Sequence, residues 1–315
     1  MSASPDRLDW SRFFADQVLA EEAELVPARI DAVHRARLTA LTPSGQFDIV
    51  LPARSDTGQF AVGDWVLCDP DTGALHRRLE RKSLLQRPSE GRRPLQLIAS
   101  NIDTLFIVAS CNGDFNVARL ERYLALANEA GTDPVIVLTK IDTADDPAEF
   151  ERQASALQRG LPVVLLNGRS PDAVAALQPW CGAGSTVALV GSSGVGKSTL
   201  VNALIGSGGT QQTGGIRESD AKGRHVTTSR SLHVMAGGGW VIDTPGMRTL
   251  QIKDAGQGID TLFAEITELA PQCKFRNCTH DHEPGCAVLA AVAAGTVDAD
   301  RLARWRKLQA ESGGR

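Results

Sequence analysis

The stretch Thr186–Leu204, TVALVGSSGVGKSTLVNAL, governs how the rest of the chain is read. It opens with an apolar, β-branched run from Val187 to Val190, passes through a glycine-rich turn and continues as a helix-compatible segment. The turn Gly191-Ser192-Ser193-Gly194-Val195-Gly196-Lys197-Ser198, entered from Val190 and left at Thr199, fits G-x-x-x-x-G-K-[ST]. Glycines let consecutive backbone N–H groups curl round phosphate oxygens, and the helix that follows presents its positive end to the same anion. Lys197 then reaches the β- and γ-phosphates, and the Ser198 hydroxyl can ligate Mg²⁺. Chance produces this pattern in roughly one chain in a hundred of this length, and here strand and helix flank it in the required order. The segment predicts binding of a nucleoside triphosphate.

Working outward, two further motifs specify the base and the metal. Thr139-Lys140-Ile141-Asp142 fits [NT]-K-x-D at the end of the apolar run DPVIVL. There the Asp142 carboxylate can accept from the guanine N1 and exocyclic amine, a pairing adenine cannot offer, and the Lys140 stem can lie over the base. Downstream, Asp243-Thr244-Pro245-Gly246 fits D-x-x-G after the apolar pair Val241-Ile242. Asp243 would hold the Mg²⁺ water shell and the Gly246 N–H would face the γ-phosphate. Each motif alone is common, but their joint placement at strand ends favours GTP over ATP. The order is rotated: the base-reading motif precedes the phosphate loop. Ligands of doubly wound sheets sit at the carboxyl ends of the strands whatever the connectivity, so a circular permutation can preserve the site. The segment after Asp243 then leads straight into the C-terminal region, which predicts coupling between nucleotide state and that region.

The chain of 315 residues is long for one core, and two or three domains are expected. Hydrophobic residues at 42% and charged residues at 22% describe a soluble globular protein, and no apolar run approaches membrane-spanning length. Acids at Asp6, Asp9, Asp16, Glu21, Glu22 and Glu24 oppose an export signal, so a cytoplasmic location is expected. Residues 1–24 read as an amphipathic segment or a partly ordered tail. Residues 25–97 carry short alternating runs broken by turn residues, the texture of a small antiparallel barrel or sandwich. The run containing Arg77, Arg78, Arg81, Lys82, Arg87, Arg92 and Arg93 reads as a solvated face or as a phosphate-contacting rim. From about residue 98 to 255, strands alternate with helices, predicting a parallel, doubly wound α/β sheet. Residues 256–315 read as helical around a cysteine cluster.

That cluster, CKFRNCTHDHEPGC, places Cys273, Cys278, His280 and Cys286 within 14 positions. Three thiolates and one imidazole suffice for a tetrahedral structural Zn²⁺, with His282 competing with His280. Cys68, Cys111 and Cys181 stand alone and read as small buried hydrophobes.

Taken together, TKID, GSSGVGKS, GRHVTT, DTPG and the final cysteine cluster, in that order, resemble the RsgA family of circularly permuted, small-ribosomal-subunit-dependent GTPases. The likeness runs from about residue 26 to 310 and includes VGDWV, ASNID, LERYL and EPGCAV. It implies an N-terminal OB-fold barrel, a central permuted P-loop GTPase domain and a C-terminal helical zinc-binding domain. It also implies GTP hydrolysis to GDP with Mg²⁺, one structural zinc per chain, and a monomer that acts away from membranes. The implied partners are the small ribosomal subunit and its rRNA, in late maturation with subunit-stimulated hydrolysis, and the resemblance turns the basic run into an rRNA contact. The resemblance selects His280 over His282 as the metal ligand. It also makes His225 the residue that orients the attacking water, since Met247 stands where Ras-like enzymes carry glutamine. Thr227 or Thr228 would supply the mobile-loop hydroxyl on magnesium. The sequence departs from the family pattern at Thr139 (often Asn), at Asn167-Gly168 (usually Ser-Ala) and at Val226 (commonly Thr). A rival reading is an RNA-binding assembly factor that uses GTP only as a conformational latch, and a second is an ATP-dependent kinase-like enzyme.

Overall fold

The computed structural model describes residues 8–88, 95–206, 230–243 and 254–313. Five antiparallel strands come first: β1 (Val26–Val33), β2 (Leu38–Thr42), β3 (Gly45–Ile49), β4 (Trp65–Cys68) and β5 (Leu75–Arg78). They pair in the order β3-β2-β1-β4-β5. A parallel bridge between Val50 and Ala74 joins the end of β3 to the start of β5 and closes the ring. This is the five-stranded barrel of an OB-fold. Its interior holds Ala28, Ile30, Leu38, Ala40, Ile49, Val66 and Cys68, alternate residues of strands whose other face looks outward. A hairpin, β6 (Leu84–Pro88) with β7 (Leu95–Ser100), leads out of it.

Through the antiparallel pair Ala32–Ser231, β1 leads into a mostly parallel part of the same sheet, which carries β8 (Thr104–Ser110), β9 (Asp133–Thr139), β10 (Val163–Leu165), β11 (Thr186–Gly191), β12 (Ser231–Val234) and β13 (Trp240–Asp243) in the spatial order β10-β9-β8-β11-β13-β12. All neighbours are parallel except β12 with β13. From β8 the chain winds towards β10, and from β11 it winds the other way, so the direction of winding reverses between the adjacent strands β8 and β11. That is the switch point at which doubly wound sheets bind ligands. The central strands β9, β8 and β11 are buried on both faces, and the period of two divides their residues. Phe106, Val108, Val135, Val137, Val187 and Leu189 face the helices Asp172–Leu177 and Lys197–Ile205. Leu105, Ile107, Ile136, Leu138, Ala188 and Val190 face the opposite core, beneath the helix Val117–Glu129.

Barrel and sheet are joined by a buried charge. Arg29 on β1 is 1% exposed and donates from Nη1 to Asp9 Oδ2 (3.0 Å) and from Nη2 to Thr186 Oγ1 (2.6 Å), the first residue of the phosphate-loop strand. Its guanidinium lies between the rings of Trp65 and Trp240, 5.9 and 5.7 Å from their centroids. Burial pushes the Asp9 carboxyl above its ordinary value, and the Arg29 charge pulls it back. Leu8 and Phe14 are buried with it, Phe14 beside Trp65 at 5.7 Å between centroids. Removing one partner of a buried pair strands the other charge, so Arg29→Ala is expected to destabilise the protein by about 3–5 kcal/mol, read as a lower urea midpoint.

The arginines of the basic run are engaged by the fold itself. Arg77 makes a paired contact with Glu22 (2.6 and 2.7 Å), and Arg81 does the same with the buried Asp64 (2.6 and 2.7 Å). Arg78 donates to the Leu79 carbonyl, and Lys82 sits over the Phe14 ring. Two arginines of this run, Arg77 and Arg81, thus commit their forks to carboxylates of the chain itself. Arg92 and Arg93 lie outside the described residues.

The C-terminal helices Gly256–Leu262 and Ala299–Glu311 pack beside the helix Val117–Glu129, with Ala287–Ala293 following the metal loop. Gly258 permits the contact: a Cβ there would fall 2.0 Å from the Ala125 carbonyl oxygen. Arg301 is the hub. It donates to Glu121 Oε1 (3.0 Å), Glu265 Oε1 (2.6 Å) and the carbonyls of Leu157 and Leu262 (2.7 and 2.8 Å), and it lies 4.2 Å over the Phe263 ring. Among the described residues no helix is long and apolar enough to cross a membrane.

Candidate functional site

Strand β11 ends at Gly191, where φ is +142° and a Cβ would lie 2.2 Å from the Val108 carbonyl oxygen of β8. Only glycine fits. The chain then turns through Gly194 and Gly196, both at positive φ, and the helix begins at Lys197. The buried Val195 anchors the turn from below, so the backbone of 191–198 forms a cradle at a helix N-terminus. Lys197 Nζ donates to the carbonyls of Gly191 (2.7 Å) and Ser192 (2.6 Å), which holds the ammonium across the loop. Arg119, from the helix after β8, donates to Ser192 Oγ at 2.5 Å. No sequence motif marks Arg119; only the packing of that helix beside the loop brings it there.

The base-reading motif sits two strands away on the same sheet edge. Strand β9 ends at Thr139, Lys140 takes the left-handed conformation (φ +58°), and Ile141–Thr143 form one 3₁₀ turn. Thr139 Oγ1 lies 2.6 Å from the Val195 carbonyl oxygen and 3.1 Å from that of Ala109, so its single proton ties the base motif to the phosphate loop. The hydroxyl that stands where the family often has asparagine thus makes a link between the two loops. Losing it is expected to cost about 1–2 kcal/mol of mutual order. Thr139→Val should therefore bind GTP roughly tenfold more weakly in equilibrium titration, with Thr139→Ser close to the parent.

Between the two loops runs a cleft of about 240 Å³ lined by Thr139, Lys140, Asp142 and Thr143 on one side and by Gly194, Val195, Gly196 and Thr199 on the other. Asn167, Gly168 and Arg169, after β10, complete its wall. One nucleotide can therefore touch both motifs, separated though they are along the chain. Asn167-Gly168 departs from the expected Ser-Ala yet occupies the wall beside Asp142; Arg169 carried no signal in the sequence.

Asp243 closes β13, which is paired in register with β11 through Ala188 and Ile242. Desolvation at the sheet end raises the Asp243 carboxyl above its ordinary value, while the nearby His233 and Lys197 pull it down. Ser198 is the second residue of the helix that follows the phosphate loop, and by donor chemistry it and Asp243 fit Mg²⁺, hydroxyl and carboxylate oxygens being the ligands magnesium prefers. His225, Thr227, Thr228 and Gly246 lie outside the described residues, as does Met247.

In the C-terminal lobe, Cys273, Cys278, His280 and Cys286 bring their ligand atoms within 4.8 Å of one another. Cys273 Sγ is 3.8 Å from Cys286 Sγ, and His280 Nδ1 is 3.5 Å from Cys273 Sγ and 3.4 Å from Cys286 Sγ. A tetrahedral zinc with Zn–S of about 2.3 Å and Zn–N of about 2.0–2.1 Å has edges near 3.8 Å between sulfurs and near 3.5 Å from sulfur to nitrogen. The donor set fits that metal in kind and in span. Backbone N–H groups of Ala287 and Leu289 point at Cys273 and Cys286 Sγ (3.3 and 3.4 Å), an arrangement suited to thiolates. Glu283 gathers the N–H groups of Thr279, Asp281 and His282 and so shapes the loop that aims His280 inward. His282 is exposed and leans on Asp281. The other three cysteines are buried, with burial pushing the thiols of Cys68 and Cys181 up to about 12 and that of Cys111 up to about 11. They behave as small hydrophobes.

Comparison with known proteins agrees with this geometry. A model of the RsgA GTPase family matches residues 78–253. The chain is 65% identical over 315 residues to the small ribosomal subunit biogenesis GTPase RsgA of Mesorhizobium japonicum, covering 99% of this chain and 91% of that protein. It is 48% identical over 307 residues to small ribosomal subunit biogenesis GTPase RsgA 2 of Vibrio vulnificus, covering 97% and 87%. Among solved structures, YjeQ from Thermotoga maritima superposes with a TM-score of 0.68 at 25% identity, over 92% of this chain and 99% of that one. YloQ, described as a circularly permuted GTPase, gives a TM-score of 0.63 at 25% identity over 93% and 96%. Sequence, strand order and rotated motifs converge, and the chain belongs to the RsgA GTPase family.

Proposed function

We propose that this protein binds the small ribosomal subunit through its rRNA in the cytoplasm, acts late in the subunit's maturation and hydrolyses GTP faster when bound to it. The observation that carries the nucleotide part is that Asp142 and Gly194–Gly196 line one cleft, so that a single ligand with a base at one end and phosphates at the other can meet both motifs. The partner rests on the relatives' printed role at 65% and 48% identity. In this reading residues 25–97 are the barrel, 98–255 the GTPase domain and 256–315 the zinc domain.

Asp142 accepts from the guanine N1 and exocyclic amine, and the Lys140 stem covers the base. The backbone N–H groups of 191–198 wrap the phosphates, and Lys197 leaves the loop carbonyls to pair with the β- and γ-phosphates. Ser198, Asp243 and one of Thr227 or Thr228 would hold Mg²⁺, which supplies charge neutralisation between the β- and γ-oxygens when bound. His225 orients the attacking water, a task within reach of an imidazole near neutral pH. Cys273, Cys278, His280 and Cys286 hold a structural zinc; three thiolates leave it no open position for catalysis.

Single-turnover hydrolysis of radiolabelled GTP by the full chain, with and without purified small subunits, tests this. Acceleration by subunits, abolished in Lys197→Ala and strongly reduced in His225→Ala, is expected. Equal rates with and without subunits, alongside tight GTP-dependent subunit binding, would instead support an assembly factor that uses GTP as a latch.

A further inference from the structure

With Arg77 and Arg81 held in ion pairs, exposed cations and an exposed aromatic ring come together, among the described residues, on the metal loop. Cys273 and Cys278 bracket Lys274-Phe275-Arg276-Asn277, all four exposed. Phe275 is 41% exposed, and Lys274 Nζ lies 5.5 Å from its ring centroid. The loop is stiff. The Cys278 N–H donates to the Phe275 carbonyl (3.2 Å), and the Lys274 N–H donates to the Gly285 carbonyl (3.0 Å). Metal ligands stand at both ends.

Among the described residues neither Lys274 nor Arg276 pairs with a carboxylate. The acids nearest in sequence are turned elsewhere: Glu283 caps backbone N–H groups, and Asp281 pairs with Arg306 and His282. The tip thus presents a flat π-face, two unneutralised cations and a side-chain amide on a pre-ordered loop. Unpaired nucleotides stack on aromatic side chains while cations take the flanking phosphates, and a stiff platform loses little entropy on binding. A docking site for a folded protein would want a wider apolar patch round the ring, whereas the neighbours here are charged or polar.

We infer that Lys274-Phe275-Arg276 is a stacking clamp for an unpaired base of single-stranded RNA. The inference rests on the proposed function only for the source of that RNA, an rRNA segment of the small subunit.

The test uses the full, zinc-replete chain with two probes: fluorescein-labelled deca-adenylate RNA and purified small subunits. Phe275→Ala is expected to bind both about tenfold more weakly, and Phe275→Trp within about twofold of the parent. Zinc content and GTP affinity should be unchanged in both variants. Replacing Lys274 and Arg276 with Gln together should lower the salt slope of RNA binding by about 1.4. Parent-like RNA affinity in Phe275→Ala overturns the clamp. Weakened subunit binding with unchanged RNA affinity also overturns it, assigning the loop to a ribosomal protein. If the parent shows neither subunit binding nor stimulated hydrolysis, the proposed function fails, and the RNA probe still decides the clamp.

Discussion

Cys273→Ala is expected to leave the purified protein with far less than one zinc per chain, and the loop from 273 to 286 without a fixed shape. Structural zinc contributes about 10–16 kcal/mol to the folding of small finger-type units, because no preformed site exists in the unfolded chain. Spread over four ligands, one lost thiolate amounts to about 2.5–4 kcal/mol, or roughly a hundredfold to a thousandfold in metal affinity. The damage should be local. The helix Ala299–Glu311 is tied to the GTPase domain by Arg301 on Glu121 and by Arg122 on Glu311, contacts that do not pass through the metal. Metal analysis and amide hydrogen exchange check both halves: zinc lost and protection lost around 273–293, with protection of Val117–Glu129 kept. His282→Ala is the control and should hold its zinc, since that ring is exposed and turned towards Asp281. Full zinc retention in Cys273→Ala would remove that residue from the ligand set.

Asp142→Asn should weaken GTP binding by about 10²–10⁴-fold. Its carboxylate is proposed to accept two charge-assisted hydrogen bonds from guanine, each contributing about 1.5–3 kcal/mol. An amide can accept only one of the two N–H groups and sets its own N–H against the other. Xanthosine triphosphate carries an oxygen in place of the exocyclic amine and should gain on the variant what GTP loses. Competition titrations of GTP, XTP and ATP against a fluorescent GDP analogue, on the parent and Asp142→Asn, read this directly. A variant that still prefers GTP tenfold or more over XTP would show that the base is read elsewhere.

Local chemistry explains which parts of the fold were legible in the chain. Glycines at 191 and 196, a lysine and a serine at fixed spacing define a backbone path that few other residues can follow, so the phosphate loop is readable from its letters. The cysteine cluster is readable for the same reason, since metal ligands must be Cys or His and lie close along the chain. Alternating helices and strands predicted the doubly wound sheet.

Other features depended on contacts between distant segments and left no local mark. The basic run looked like a surface because charge patterns do not say which carboxylates, at Glu22 and Asp64, will fold against them. Arg29 carries no mark in the sequence, yet it is a buried joint between barrel and sheet, because Asp9 and Thr186 arrive from far along the chain. Arg119, Arg169 and the Thr139 link to Val195 belong to the nucleotide cleft only through the pairing of β9, β8 and β11. By itself, then, the sequence determined the P-loop motif, the T-K-x-D motif, the cysteine cluster and the rotated order in which they occur, since each depends on residue type and short spacing. Tertiary structure alone decided that these loops face one cleft and which cations remain at the surface, because both depend on strand order and on partners that only folding brings within reach.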